Sequence, residues 1–378
     1  MYLKQLNNAI DYSLKSGSFN SLNIVDNAKN VCVFGLGTYF NEAFVSQGIK
    51  KKYHVNLLSD NAPDKWGKTF ESIKCIPPNE LTNYEDLIVI IMLGNPVPVE
   101  KQLKALGVPF IYHPNLMLDE IMNLPRSRDW FMQEADDIKK VYSFFHDDRS
   151  KKIYVNGLCN RIAPAFSELT WEELYCDEEQ YFNQEYFKFQ DDEVFVDCGS
   201  YTGDTILKFC DNVQSHKEIW GFELDKDNFE EMVNNLKGIG GGGSFHLHNC
   251  GVWNENCILD YGHGTSDNEP RGGISLYKTE PAQNNLIQQA QVRRLDDVLK
   301  NRTVTYIKMD VEGAEINALW GAEHIIRTQK PKLSVCVYHK VSDFWQVPLL
   351  IKRFNQDYNF ILRHYMKTDC TETVLYAY

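Results

Sequence analysis

Apolar residues in this chain collect into short unbroken runs, separated by polar stretches of helical length and composition. Runs of that kind have no room for a solvated face, so they predict parallel strands covered on both sides and joined by helices. One series comprises VCVFGLGTYF at 31–40, HVNLLSD ending at Asp60, LIVIIML at 87–93 and VPFIYHP at 108–114. A second begins with EVFVDCGSYTGDT at 193–205 and continues through Glu218 to Phe222, FHLHNCGVW at 245–253, Thr303 to Met309 and KLSVCVY at 332–338. NFILRHY and ETVLYAY, parted by a polar turn, predict an antiparallel hairpin that closes the second sheet. Residues 1–20 read as an amphipathic helix with Leu3, Leu6, Ile10 and Leu14 on one stripe. Residues 116–190 shift to helix formers, charges and aromatics and predict a helical connector. Two α/β domains flanking a connector follow: 1–115, 116–190 and 191–378.

Candidate chemistry sits where strands break into turns. After Val194 to Val196, Asp197 ends a strand, Gly199 and Gly203 bracket a turn where a backbone can approach a ligand closely, and Asp204 and Thr205 open a helix. The spacing is not that of a dinucleotide fingerprint, and a carboxylate beside the turn repels phosphate and attracts an ammonium. Glu223 ends the next strand, placed to accept both ribose hydroxyls. A nucleoside that carries an amino acid, S-adenosylmethionine, answers both acids.

VDCGSYTGDT at 196–205, GFELDKDN at 221–228, LDDVL at 295–299 and above all YIKMDVEGAEINALWGAEHII at 306–326 resemble the FkbM-type SAM-dependent methyltransferases, over roughly Gln180 to Tyr365. The resemblance implies a class I, Rossmann-like, seven-stranded methyltransferase domain with S-adenosylmethionine as donor. It also implies a hydroxyl acceptor on a sugar, glycan precursor or related small metabolite. The cofactor set carried over is Asp197, Gly199, Tyr201, Thr202, Gly203, Asp204, Thr205, Glu223, Leu224, Asn249, Cys250 and Asp310, with Asn249 to Gly251 toward the adenine. In an open α/β sheet ligands gather beyond the carboxyl ends of strands, so Asp197, Glu223, Asn249, Asp310 and His339 are expected at one crevice.

Methyl transfer to a hydroxyl requires alignment behind the methyl and removal of a proton. His339, at a strand end, is the expected general base, with Asp310 orienting it or binding the acceptor hydroxyl. Lys308 is expected to pair with a carboxylate, and Glu312 and Glu315 to favour a helix N-terminus. The polar loop 262–278 is the expected acceptor carrier. Tyr181, Phe182, Tyr186 and Phe187 read either as a lid over the cofactor or as core contacts, and the glycine run 238–243 as a surface turn.

In the first domain the turn after 31–34 has Gly35 and Gly37, but Phe40 stands where a third fingerprint glycine belongs. An acid ending the second strand, a K-x-G turn and P-x-E-L resemble small Rossmann-like domains that hold nucleotide-sugars. That resemblance implies nucleotide contacts from Gly35, Gly37 and Asp60; the alternative is a scaffold or dimer surface.

Composition narrows the partners. Over 378 residues the formal charge is −13, which argues against nucleic acid or an anionic membrane surface. The longest apolar run falls far short of the roughly 20 residues of a spanning helix, and no signal-peptide h-region precedes the first domain, so a cytoplasmic location is expected. Ten cysteines without a C-x-x-C pair suit reduced thiols. His246 and His248 alternate on one strand face without a third ligand, so no metal is expected. Two other classes stay open: a nicotinamide-dependent oxidoreductase using the first turn, separable by NADH binding, and a non-catalytic binding module, separable by whether methyl ever leaves the donor.

Overall fold

A computed structural model describes residues 1–38, 40–41, 44, 48–122, 125, 127–213, 215–239, 243–263 and 286–378. The chain forms two compact units. Unit 1 comprises Met1–Ser143, Asp148–Cys176 and His364–Glu372; unit 2 comprises Phe144–Asp147, Asp177–Arg363 and Thr373–Tyr378.

Unit 1 is built on a six-stranded sheet in the order β3-β4-β2-β1-β5-β6. Its strands are β1 Asn30–Phe34, β2 Leu57–Ser59, β3 Thr69–Phe70, β4 Ile73–Ile76, β5 Leu87–Ile91 and β6 Phe110–Tyr112. All pairings are parallel except the β3–β4 hairpin. The short apolar runs are buried throughout, as a sheet covered on both faces requires. Helix Tyr2–Ser16 buries Gln5, Leu6, Ala9, Ile10 and Ser13, while Leu3 is exposed. The expected stripe is therefore rotated. Two polar positions dock it, Gln5 Nε2 donating to Asn156 Oδ1 (3.0 Å) and Ser13 Oγ to the Ile162 carbonyl (3.1 Å), so an apolar count alone misplaces the face. The helix stops at Gly17, whose φ of 75° supplies the left-handed cap. Helices His113–Met122, Arg128–Tyr142, Asp148–Ile162 and Trp171–Leu174 fill 113–174, the last closed by a reciprocal Thr170–Glu173 capping box.

Unit 2 carries a seven-stranded sheet in the order β15-β16-β14-β13-β7-β8-β9. The strands are β7 Val194–Cys198, β8 Glu218–Glu223, β9 Ser244–Asn249, β13 Tyr306–Met309, β14 Lys332–Cys336, β15 Phe360–His364 and β16 Thr373–Ala377. Strands β14, β13, β7, β8 and β9 pair in parallel, and β16 runs antiparallel to β14. Asn359 and Tyr378 exchange both backbone hydrogen bonds at the hairpin. This is the expected class I, Rossmann-like arrangement. The chain order reverses at β7, so the crevice of a doubly wound sheet lies beyond the β7 carboxyl end. Between β9 and β13 the chain builds a small sheet from β10 Gly251–Val252, β11 Cys257–His263 and β12 Leu286–Arg293.

Phe182, Phe195, Phe209 and Tyr306 form one aromatic core, with Phe195 stacked on Phe209 (4.4 Å) and on Tyr306 (5.0 Å). Tyr181, Phe182 and Phe187 are buried, and Tyr306 Oη donates to the Tyr181 carbonyl (2.8 Å). These three are thus core contacts, while Tyr186 is half-buried and its hydroxyl accepts from Arg363 Nε (2.8 Å). The expected single helix after Gly313 is two, Glu315–Gly321 and Glu323–Gln329. At the break Gly321 lies so close to the Trp253 backbone that a Cβ would sit 2.0 Å from its carbonyl oxygen. The acceptor loop expected at 262–278 lies, from 264 onward, outside the described residues, as do 240–242 of the glycine run. No helix among the described residues is long and apolar enough to cross a membrane. All ten cysteines are free thiols.

Candidate active site at the carboxyl ends of the unit 2 strands

The turn after β7 is forced by backbone crowding. Gly199 has φ 79°, and a Cβ on it would stand 1.8 Å from the Asp310 carbonyl oxygen at the end of β13. Ser200, fully buried, stitches the turn: its Oγ donates to the Asp197 carbonyl (2.9 Å) and accepts from Phe222 N–H (3.1 Å). Tyr201 takes a left-handed φ of 47° and is exposed, and Gly203, with φ 84°, caps helix Asp204–Asn212. Non-glycine residues in this region store strain that surrounding contacts must hold. The Thr202 carbonyl accepts from Asn235 Nδ2 (2.9 Å), Asp204 is exposed at the first helical position, and Thr205 is buried.

Asp197 is fully buried, and Lys308 Nζ lies 3.1 Å from its Oδ1 while donating to the Gly199 carbonyl (2.8 Å). Burial pushes the Asp197 carboxyl up to about 6 against the pull of Lys308. Asp197, expected to meet a ligand ammonium, thus has a buried cation beside it, and Lys308 links it to the turn. The pairing expected for Lys308 is present.

At the end of β8, Glu223 is buried and both of its oxygens hold backbone. Oε2 accepts from Tyr201 N–H (2.8 Å) and Oε1 from Asp225 N–H (2.8 Å). Burial pushes its carboxyl up to about 7 despite those two bonds. Asn249 Nδ2 donates to the Glu223 and Leu224 carbonyls (3.0 and 3.1 Å), fastening the β8 turn to the end of β9. Leu224 is half-buried and Cys250 buried, the latter with its thiol pushed up to about 11 by burial.

Beyond β13 and β14 the acids gather around His339. Its Nδ1 lies 3.0 Å from Glu315 Oε1, and its Nε2 lies 3.2 Å from Glu312 Oε2 and 3.7 Å from Asp310 Oδ1. His339 and Glu315 are fully buried; Asp310 and Glu312 are partly exposed. Burial opposes a charge on the ring, but Glu315 and Glu312 outweigh it and hold the imidazole well above its ordinary value. That raised proton affinity makes scarcer the neutral imidazole that the general-base role expected of His339 would need. The physical reason is the second and third acids, Glu312 and Glu315, which a strand-end argument naming Asp310 alone leaves out. Glu315 Oε1 also accepts from Val311 and Gly313 N–H (3.1 and 3.3 Å), and Tyr338 Oη donates to Asp310 Oδ1 (3.2 Å). Buried Asp343 accepts from Lys340 N–H (2.9 Å), with its carboxyl pushed up to about 7 by burial and then Glu315. Ligand atoms of Asp310, Glu315 and His339 lie within 4.8 Å of one another, a spacing compatible with a metal ion.

Strands β9, β8, β7, β13 and β14 are consecutive neighbours, so Asn249, Glu223, Asp197, Asp310 and His339 do follow one carboxyl edge. Sequence reasoning missed Ser200, Glu312, Glu315, Tyr338 and Asp343 as site residues. The two glutamates were visible in the 306–326 block but passed for helix-end charges. In unit 1, Gly35 has φ 105° and packs under Leu93, and nothing approaches Gly37. Asp60 accepts from Leu36 N–H (2.7 Å), Ala62 N–H (2.8 Å) and Lys65 Nζ (2.8 Å). Burial opposes its ionisation, yet Lys65 and the two amides hold its carboxyl below the usual range. That carboxylate is committed to its own turn.

No curated protein matches this sequence. Among solved structures, the methyltransferase FkbM of Methylobacillus flagellatus KT shares the fold over 100% of this chain and 99% of its own, at 18% identity and TM-score 0.64. An rRNA methylase of Streptococcus thermophilus covers 50% of this chain and 86% of its own (13% identity, TM-score 0.31). Fibrillarin of Aeropyrum pernix, with natively bound S-adenosyl-L-methionine, covers 50% and 67% (10% identity, TM-score 0.32). Both are too distant to bear on this chain's chemistry. Residues 197–370 match the Methyltransferase FkbM domain, the stretch that contains the glycine turn, the Glu223 tip and the acid–imidazole cluster.

Proposed function

We propose that unit 2 transfers a methyl group from S-adenosylmethionine to a hydroxyl of a sugar, glycan precursor or related small metabolite. The observation that carries this reading is Glu223. Its oxygens are aimed by the Tyr201 and Asp225 amides at the reversal point of the sheet, and each keeps a lone pair for a ribose hydroxyl. The residues present fit such a cofactor: the Glu223 tip for the ribose, the Asn249–Cys250 edge for the base and the Gly199–Gly203 turn for close backbone approach. When bound, the sulfonium supplies an electrophilic methyl. The chain's part is to align the acceptor oxygen and take its proton, and the partly exposed carboxylate of Glu312, beside His339 Nε2, is placed to receive it.

Glu223→Ala should weaken S-adenosylmethionine binding by ~30- to 150-fold, the loss of about 2 to 3 kcal/mol of charge-assisted hydrogen bonding. Calorimetry on the folded variant checks it, and unchanged affinity would sink the assignment. The carboxyl at about 7 adds a pH signature. Accepting two hydroxyls and two amides needs the ionised form, so affinity should rise as pH passes upward through neutrality. Stability should move the other way. The folded value lies above the unfolded Glu value of about 4.3, so the folded chain binds the extra proton between the two, and the Glu223 contribution is lost as pH rises through the folded value. Glu223→Gln should flatten both trends.

A further inference from the structure

We propose that Asp310, Glu315 and His339 form a binding site for a divalent cation of the Mn2+ class, and that this cation grips the acceptor through two adjacent oxygens. Three observations carry the site. The first is spacing: one ligand atom from each residue lies within 4.8 Å of the others. An octahedral ion with bonds of about 2.1 Å sets neighbouring ligands ~3.0 Å and opposite ligands ~4.2 Å apart, so the three need only small side-chain adjustments.

The second is charge left without a partner. Asp310, Glu312, Glu315 and Asp343 bring four carboxylates together around one imidazole, with Lys340 beside Asp343. Glu315 and Asp343 are fully buried, and Glu315 Oε2 and Asp343 Oδ1 meet no hydrogen-bond donor among the described residues. Buried carboxylate oxygens are ordinarily paired, hydrogen-bonded or bound to metal.

The third is support. Glu315 is aimed by the Val311 and Gly313 amides and Asp310 by the Tyr338 hydroxyl, the outer contacts that metal ligands ordinarily have. Two carboxylates with one imidazole suit an ion at the border between the oxygen-seeking and nitrogen-seeking metals, hence Mn2+. The cluster is closed on the Glu315 and His339 side and open at Asp310, so the remaining coordination positions face outward. A vicinal diol or a hydroxy-carboxylate would fill two of them.

The cation site stands on its own residues; only the identity of what it grips rests on the methyltransferase reading. The test uses the full chain stripped of metal with a chelator. Mn2+ is titrated while the free-ion paramagnetic resonance signal is followed, and S-adenosylmethionine is titrated calorimetrically on the same samples. One Mn2+ per chain is expected, weakened in Asp310→Asn and Glu315→Gln by at least the ~10- to 100-fold that loss of an outer contact alone produces. Glu315 also holds its turn, so Asp310→Asn, at a partly exposed side chain, decides if the other variant fails to fold. Absence of binding at millimolar Mn2+, or binding indifferent to Asp310→Asn, overturns the site. S-adenosylmethionine binding without Mn2+ binding rejects the cation and keeps the methyltransferase reading; the converse rejects that reading and keeps the cation.

Discussion

Gly199→Ala should cost unit 2 more than about 4 kcal/mol, at the extreme of what single substitutions do. Two effects add. The backbone at φ 79° lies in the region an L side chain enters at about 1 to 2 kcal/mol. The new methyl would also stand 1.8 Å from the Asp310 carbonyl oxygen, a backbone atom on the adjacent strand end that cannot rotate away. Relief would require β7 and β13 to part at their carboxyl ends, where the Asp197–Lys308 pair and the acid cluster begin. Gly238→Ala is the control, since it has the same φ and nothing within 4 Å. It should lose only the conformational part, about 1 kcal/mol. Urea denaturation of both variants measures the difference, and similar losses would mean that the close approach has no energetic weight.

Lys308→Met should cost about 3 to 5 kcal/mol, the usual result of breaking a buried ion pair from one side, because it leaves the Asp197 carboxylate with no cation in the interior. The Gly199 carbonyl loses its donor at the same time, which loosens the turn and should weaken cofactor binding. Asp197 already sits at about 6 beside Lys308; without the lysine, desolvation acts unopposed and raises it further. The variant must therefore bind a proton on folding at neutral pH, and its deficit should shrink as the solution is acidified. Adding Asp197→Asn should recover part of the loss, since a neutral amide needs no cation. Denaturation midpoints at neutral and mildly acidic pH test both statements, and a deficit independent of pH and of Asp197 would assign Lys308 to packing alone.

Much of this architecture was legible from the chain alone. Unbroken apolar runs at β1, β5, β7 and β13 predict doubly covered parallel strands because each position is buried, and burial on both faces leaves no alternation to misread. Gly199 and Gly203 marked the turn because few other residues accept those backbone angles, and an acid at a strand end, as at Glu223, is placed by covalent connectivity. What an ionisable group does there depends instead on distant neighbours. Asp197 and Lys308 are more than a hundred residues apart in sequence and 3.1 Å apart in space, which gives that carboxylate an internal cation that no local pattern announces. His339 read as a base from its intrinsic chemistry; Glu312 and Glu315, folded against opposite nitrogens of its ring, raise its proton affinity. Local backbone conformation follows from steric rules within a few residues, whereas protonation and charge pairing are set by the few ångströms around a buried atom, and only the tertiary fold fills that space.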